Sequence, residues 1–194
     1  MPETKKNKVK FGLKNVHVAV LTRADDGTVT WGAPFAIPGA VNLSLDAEGE
    51  TTPFYADNIV YYQSTSNSGY SGDFEITLVP DQFREEVLKE QKSADGVYVE
   101  NVDVEPAEFA LMFEFNGDVK AIRHVMYRCT CTRPGVTGQT TEATKEPTTE
   151  TMTITAMPLA DGRVKAKTGA ETSEAVYNAW YNAVYEPKAS EAAV

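Results

Sequence analysis

The sequence predicts a mainly β protein: an antiparallel β-sandwich or barrel with a flanking α-helix and a long projecting hairpin. Two patterns carry this expectation. Short segments of alternating polar and apolar residues recur along the chain, separated by turn residues such as Asp25-Asp26-Gly27, Asn116-Gly117-Asp118 and Asp161-Gly162. One segment in the middle, DQFREEVLKEQK after Pro80, has firm helical spacing with a start signal, and a second lies near the end. Strands joined by such turns pair as antiparallel neighbours, whereas a doubly wound sheet needs a helix between successive strands.

The first strand expected is VHVAVLT, Val16 to Thr22, and the Asp25-Asp26-Gly27 turn leads it into TVTW. In IPGAVNLSLDAEGE, Val41, Leu43 and Leu45 alternate with Asn42, Ser44 and Asp46, the mark of a half-buried strand. DFEITL behaves the same way. Phe74, Ile76 and Leu78 point toward a core, and Asp73, Glu75 and Thr77 point toward water. The stretch before it differs, because Phe54, Tyr55, Ile59, Val60, Tyr61 and Tyr62 place large apolar groups on both faces of an extended chain. Gln63 to Gly69, QSTSNSG, is expected to form the polar tip of this arm.

Pro80, the acids of the next turn, and Phe83, Val87 and Leu88 predict an amphipathic helix over Asp81 to Lys92, stopped by Ala94-Asp95-Gly96. In AEFALMFEF, Phe109, Leu111, Phe113 and Phe115 share one face, and Asn116-Gly117-Asp118 is a hairpin signal. Its partner KAIRHVMYRCTCT is apolar on both faces, as a strand covered from both sides should be. Residues 133–148 read as a mobile Thr-rich surface loop. In TETMTITAM, Thr151, Thr153 and Thr155 oppose Met152, Ile154 and Ala156, giving one wet face. Thr172-Ser173 caps a final helix with Val176, Trp180 and Val184 on one stripe. The organisation expected is a single domain over residues 1–187, including a basic N-terminal arm at 1–12, followed by a disordered tail at 188–194.

Composition narrows the function. The 194 residues are 42% hydrophobic and 24% charged, enough for one core and typical of soluble globular chains. No apolar run approaches the roughly 20 residues of a membrane helix, so no membrane insertion is expected. The N-terminus lacks the apolar segment of a signal peptide, which points to synthesis in a cytoplasm. The net charge is −10, with 28 acids against 18 bases, and such a chain does not grip a phosphate backbone. Lys5, Lys6, Lys8 and Lys10 form a local basic exception and read as a solvated terminus.

No catalytic constellation assembles, so the expectation is not an enzyme, with no cofactor and no metal. His17 and His124 lie in strand patterns. A zinc site from His17, His124, Cys129 and Cys131 has suitable atoms, but on a regular strand His124 faces away from both cysteines unless a bulge intervenes. The cysteines, two apart, suit a disulfide badly and read as small buried residues. What stands out is the arm beginning at Phe54. Either the protein buries its aromatic groups internally or another subunit does. Exposed sheet edges favour head-to-tail contacts, which close into rings or propagate as filaments.

The opening NKVKFGLKNVHVAVLT, the IPGAVNLSLDAEG strand, the FYADN hairpin, the VPDQFREEV step and the run YRCTCTRPGVTGQTTEATKEPTTETMTITAMPLADGRV together extend almost end to end. In their order and spacing the chain resembles the major tail proteins, or tail tube proteins, of long-tailed bacteriophages with non-contractile tails. That resemblance implies a β-sandwich or barrel with a flanking helix, assembled as homohexameric rings stacked into a hollow tube. The virion's genome DNA would pass down the lumen without sequence-specific binding, and tape-measure, tail terminator and tail-tip proteins would be partners. Synthesis would be in the host bacterial cytoplasm. The matching arm is Phe54 to Gly72, with Phe54, Tyr55, Asp57, Asn58, Ile59, Tyr61, Tyr62 and Tyr70 as expected interface residues. Asp73, Glu75 and Thr77 are an expected lumen lining. The alternatives are the tube protein of a related secretion system and a monomeric β-sandwich binding or decoration module.

Overall fold

The computed structural model describes residues 5–140 and 147–187. Among these residues the strands are β1 (Lys10–Arg23), β2 (Val29–Trp31), β3 (Phe35–Ala36), β4 (Ala40–Glu48), β5 (Thr51–Ala56), β6 (Ile59–Thr65) and β7 (Gly69–Ile76). Helix α1 (Asp81–Glu86) precedes β8 (Gln91–Lys92), β9 (Tyr98–Val99), β10 (Phe109–Gly117), β11 (Ile122–Cys131), β12 (Glu150–Ala156) and β13 (Lys165–Lys167). Helix α2 (Glu174–Asn178) comes last. Nine strands form one antiparallel sheet in the order β2-β1-β10-β11-β12-β7-β4, with β3 added to β1 and β13 to β11. β5–β6 and β8–β9 are separate two-stranded hairpins. The mainly β architecture expected from the alternation is the one observed.

The sheet curls because its longest strand is irregular. β1 shifts register twice against β10, between Phe11 and Leu13 and between Lys14 and His17, and such bulges add twist and bend. The segment after β3 then brings the two sides of the sheet together. Phe35 and Ala36 pair with β1, Ile37 N donates to Val16 O, and Thr77 N donates to Gly39 O at the start of β4. Inside the curl lies one core of Val16, Val18, Phe74, Ile76, Phe109, Leu111, Phe113, Cys129, Met152 and Ile154, closed by Val79, Phe83, Val87 and Leu88 from around α1. On the opposite face of β1, β10 and β11 is a second core. Ala19, Ala110, Met112, Val125 and Tyr127 pack there against Leu159, Trp180 and Val184. The apolar character of β11 on both faces therefore has the expected cause.

Several expected elements end sooner than the sequence predicts. α1 stops at Glu86 and not at Lys92. Val87 and Leu88 turn fully into the core, Lys89 takes a left-handed φ of 58°, and Ala107 N donates to the Val87 carbonyl that a continuing helix would use. Arg84 fixes the corner through Glu90 at 3.2 Å and Glu150 at 3.1 Å. α2 likewise ends at Asn178, although Ser173 caps it and Trp180 and Val184 keep their place on the core. β7 ends at Ile76, so Leu78 is 67% exposed and Val79 takes the buried position. Val41 is exposed because β4 shifts register against β7 between Ala40 and Asn42.

The N-terminal segment, expected to be a solvated arm, is tied down from Asn7 onward. Asn7 Oδ1 accepts from Val119 N at 2.9 Å and Lys120 N at 3.0 Å, and Lys10 to Gly12 already belong to β1. In the Thr-rich loop, Arg133 donates to the carbonyls of Leu88, Asn101 and Val104; residues 141–146 and 188–194 lie outside the described residues.

β10 carries one buried charge. Glu114 is 2% exposed and accepts from Arg123 Nε at 2.9 Å and Asn15 Nδ2 at 2.8 Å, with Lys14 at 3.4 Å. Removing one partner of such a group leaves an uncompensated charge in the core, which costs far more than an exposed pair contributes. Arg123→Met is expected to lower unfolding free energy by about 3 kcal/mol in urea titrations. Arg23→Met, which loses only the more open pair with Glu108, is expected to cost no more than about 1 kcal/mol.

Candidate assembly surfaces

The hairpin β5–β6 stands apart from both cores. Its turn is Asp57-Asn58, with φ of 52° and 62°, the paired positive values of a type I′ turn that tightens two strands without splaying them. This corrects the position of the tip. QSTSNSG is not at the end of the arm but at its root, where β6 finishes and the chain passes into β7. The root is stitched: Ser66 N donates to Glu50 O at 2.9 Å, and Ser68 N donates to Glu48 O at 2.8 Å. Gly69 then redirects the chain at a φ of 130°, so close to Ala156 O that a Cβ would lie 2.1 Å from it.

Both faces of the hairpin are apolar. Phe54 pairs with Tyr62 and Tyr55 with Val60, and a register shift between these pairs accommodates Tyr61. Paired residues share a face and successive pairs alternate, so each side carries an aromatic group. Phe54, Tyr55, Ile59, Tyr61 and Tyr62 are each more than 60% exposed. Tyr70 is elsewhere. It lies in β7, half-buried beneath the Lys165 ammonium at 4.1 Å and packed against the main core.

A second surface is polar. The register of β4, β7 and β12 aligns Asn42 with Glu75 and Thr151, Ser44 with Asp73 and Thr153, and Asp46 with Ser71 and Thr155. Thr130 of β11 continues the last row. This is the same side of the sheet that β1, β10 and β11 bury under Leu159, Trp180 and Val184, but no described element covers it here. Thr153 Oγ1 donates to Asp73 Oδ1 at 3.1 Å and Thr149 Oγ1 to Glu75 Oε1 at 2.6 Å, so the carboxylates are held upright among hydroxyls. Thr77 is exposed just beyond the end of β7. Sequence alternation identified the strands of this surface, whereas the contribution of Asn42, Ser44 and Asp46 to it depends on pairing register.

The two histidines stack on aromatic rings and the two cysteines are buried. A shift in the β10–β11 register between Phe109 and Leu111 marks a bulge near Tyr127-Arg128, so His124, Met126 and Cys129 do share a side. Even so, no group of three metal-ligating side chains comes together among the described residues. Burial pushes the Cys131 thiol up to about 12 and raises Cys129 further. His17 stacks on Tyr181 with ring centres 4.4 Å apart. Among the described residues no helix is long and apolar enough to cross a membrane.

These surfaces belong to a mainly β protein that exposes an apolar hairpin and an uncovered polar sheet face among its described residues. A family model described as phage tail tube protein matches residues 1–184, and the chain belongs to that family. Its place is the tail tube of a virion, and its role is structural and not enzymatic. Among solved structures, the chain is similar to the anti-feeding prophage cap, a tube-terminating cap determined by cryo-electron microscopy. The two are 9% identical with a TM-score of 0.42, over 87% of this chain and 98% of the cap. No curated protein matches the chain.

His124 gives this architecture a pH signature. It stacks on Phe113 at 5.1 Å, and burial, with smaller contributions from Lys167, Lys10 and Lys165, lowers its pKa from 6.5 to about 4. The unfolded chain binds that proton near 6.5, so the contribution is complete above this pH and is lost as pH falls toward 4. The loss amounts to at most ~3 kcal/mol. His124→Gln is therefore expected to show a smaller fall in urea midpoint between neutral pH and the acid side of this window than the unsubstituted chain.

Proposed function

We propose that copies of this chain join through the β5–β6 hairpin into hexameric rings that stack as a hollow tube, through which genome DNA passes. One observation carries the reading: a hairpin whose large apolar side chains are exposed on both faces. A two-stranded hairpin is marginal in water by itself, and apolar groups on both of its sides give it two surfaces to bury against neighbours. Phe54, Tyr55, Asp57, Asn58, Ile59, Tyr61 and Tyr62 form that joint. Tyr70, within the sheet, supports the root.

The polar face of β4, β7 and β12 is the proposed lining, with Asp73 and Glu75 as its fixed charges and Thr77 at its margin. A conduit for a polyanion needs a wall without cations to hold it, and these strands present hydroxyls, amides and carboxylates. The net charge of −10 per copy extends the same repulsion along a repeating tube. Tape-measure, terminator and tail-tip proteins would meet the ends and interior of the assembly.

The hydrogen bond between Ser66 N and Glu50 O allows a clean excision. Replacing Thr51–Thr65 with a two-glycine link is expected to leave circular dichroism and thermal unfolding of the monomer nearly unchanged while abolishing tubes in negative-stain micrographs. Full-length tubes from this variant would place the joint elsewhere.

A further inference from the structure

β1 and β10 are antiparallel along nearly their whole length, so they define two opposite ends of the subunit. One end holds Lys10, the 118–121 turn and the start of β11. The other holds Arg23, the 24–28 turn and the loop that enters β10 at Glu108.

The first end is basic in a chain that is acidic overall. A cleft of about 800 Å³ opens there between the N-terminal segment, the 118–121 turn and the 167–172 loop. Lys5, Lys6, Lys120 and Lys167 line it, against one acid, Glu171. Asn7 binds the N-terminal wall to the turn, with Nδ2 donating to Lys120 O at 2.6 Å. Tyr177 forms part of the floor, with the Lys120 ammonium 3.7 Å above its ring. Among the described residues none of these four lysines has a carboxylate partner.

The opposite end carries the complement. Asp25, Asp26, Asp103 and Glu105 are exposed there and, among the described residues, enter no ion pair. The nearby arginines are already used, since Arg23 and Arg128 both bind Glu108, at 3.2 Å and 2.6 Å, and Arg133 binds Glu100 at 3.3 Å. The subunit is thus polarised along its strands, with unpaired lysines outnumbering Asp118 and Glu171 at one end and unpaired acids gathered at the other.

We infer that the lysine cleft is the socket for the acidic end of a second copy, so that charge fixes the direction in which copies stack. This rests on the reading that copies assemble into a tube, and it adds the axial contact to the lateral one made by the hairpin. A head-to-tail contact between unlike ends does not close on itself, so it propagates. Complementary charge sets register and association rate more than final affinity, and it excludes the wrong pairing of like ends. Duplex DNA is a poorer occupant, because the four lysines sit on a subunit whose net charge repels it.

The test is charge reversal in the full chain. Lys6→Glu with Lys167→Glu changes the socket, and Asp25→Lys with Asp103→Lys changes the opposing end; none of these side chains makes an ion pair among the described residues. Each pair alone is expected to shorten tubes at least tenfold in negative-stain micrographs while single rings persist. The four-site variant is expected to recover most of the length. The inference is overturned if the Lys6→Glu, Lys167→Glu variant forms tubes of ordinary length, or if the four-site variant stays short with an unchanged circular dichroism spectrum. Duplex DNA binding by the monomer that this socket variant abolishes, with assembly unaffected, would overturn it too. Failure of the unsubstituted chain to form even rings would remove the assembly reading itself, a result distinct from these.

Discussion

Burial of β10 on both faces is the constraint from which the rest of the structure follows. Six consecutive residues, Phe109 to Glu114, are almost inaccessible to water, and their side chains alternate between two cores. Burying each large apolar group stabilises the fold by about 1.5–3 kcal/mol, so both sides of this strand must be covered. The inner side is covered by the curl of the sheet itself and by the turn around α1. The outer side is covered by the C-terminal segment, through Trp180 and Val184. Glu114, the one charge in the run, keeps its place only because Arg123, Lys14 and Asn15 converge on it.

That cover reaches only part of the sheet. Beyond β11 the same side turns from apolar to hydroxyl and carboxylate, and among the described residues the C-terminal segment does not cover it. One continuous sheet therefore has a dry half that holds the subunit together and a wet half that no described element covers. The β5–β6 hairpin leaves from the wet half, between β4 and β7, so the surface proposed as lining and the arm proposed as joint share a root. The strip of exposed aromatics on β5–β6 takes no part in either core.

Much of this was legible in the residues. Alternation located β4, β7, β10 and β12, and the two-sided apolarity of β11 announced that it would be covered twice. The two-sided apolarity of the arm was equally plain. Its turn was not, although Asp57-Asn58 between apolar runs is a two-residue hairpin signal; the polar stretch QSTSNSG drew the tip to the wrong place. Other differences come from tertiary contacts that no local pattern encodes. α1 is cut short by the bond from Ala107 to Val87, and Leu78 loses its core position because Glu150 captures Val79 N at 2.6 Å. The lysine cleft unites residues 5, 120 and 167, which are distant in sequence, and only the pairing of β1, β10, β11 and β13 brings them together.

The central claim is that the hairpin of one copy is buried by another while the wet half of the sheet faces an internal channel. A cryo-electron microscopy reconstruction of tubes assembled from the full chain tests both parts in one map. The account predicts Phe54, Tyr55, Tyr61 and Tyr62 in contact with a neighbouring copy, and Asp73 and Glu75 on the channel wall. A tube in which the hairpin projects into solvent, or in which the β4–β7–β12 face lies on the outer surface, would contradict it.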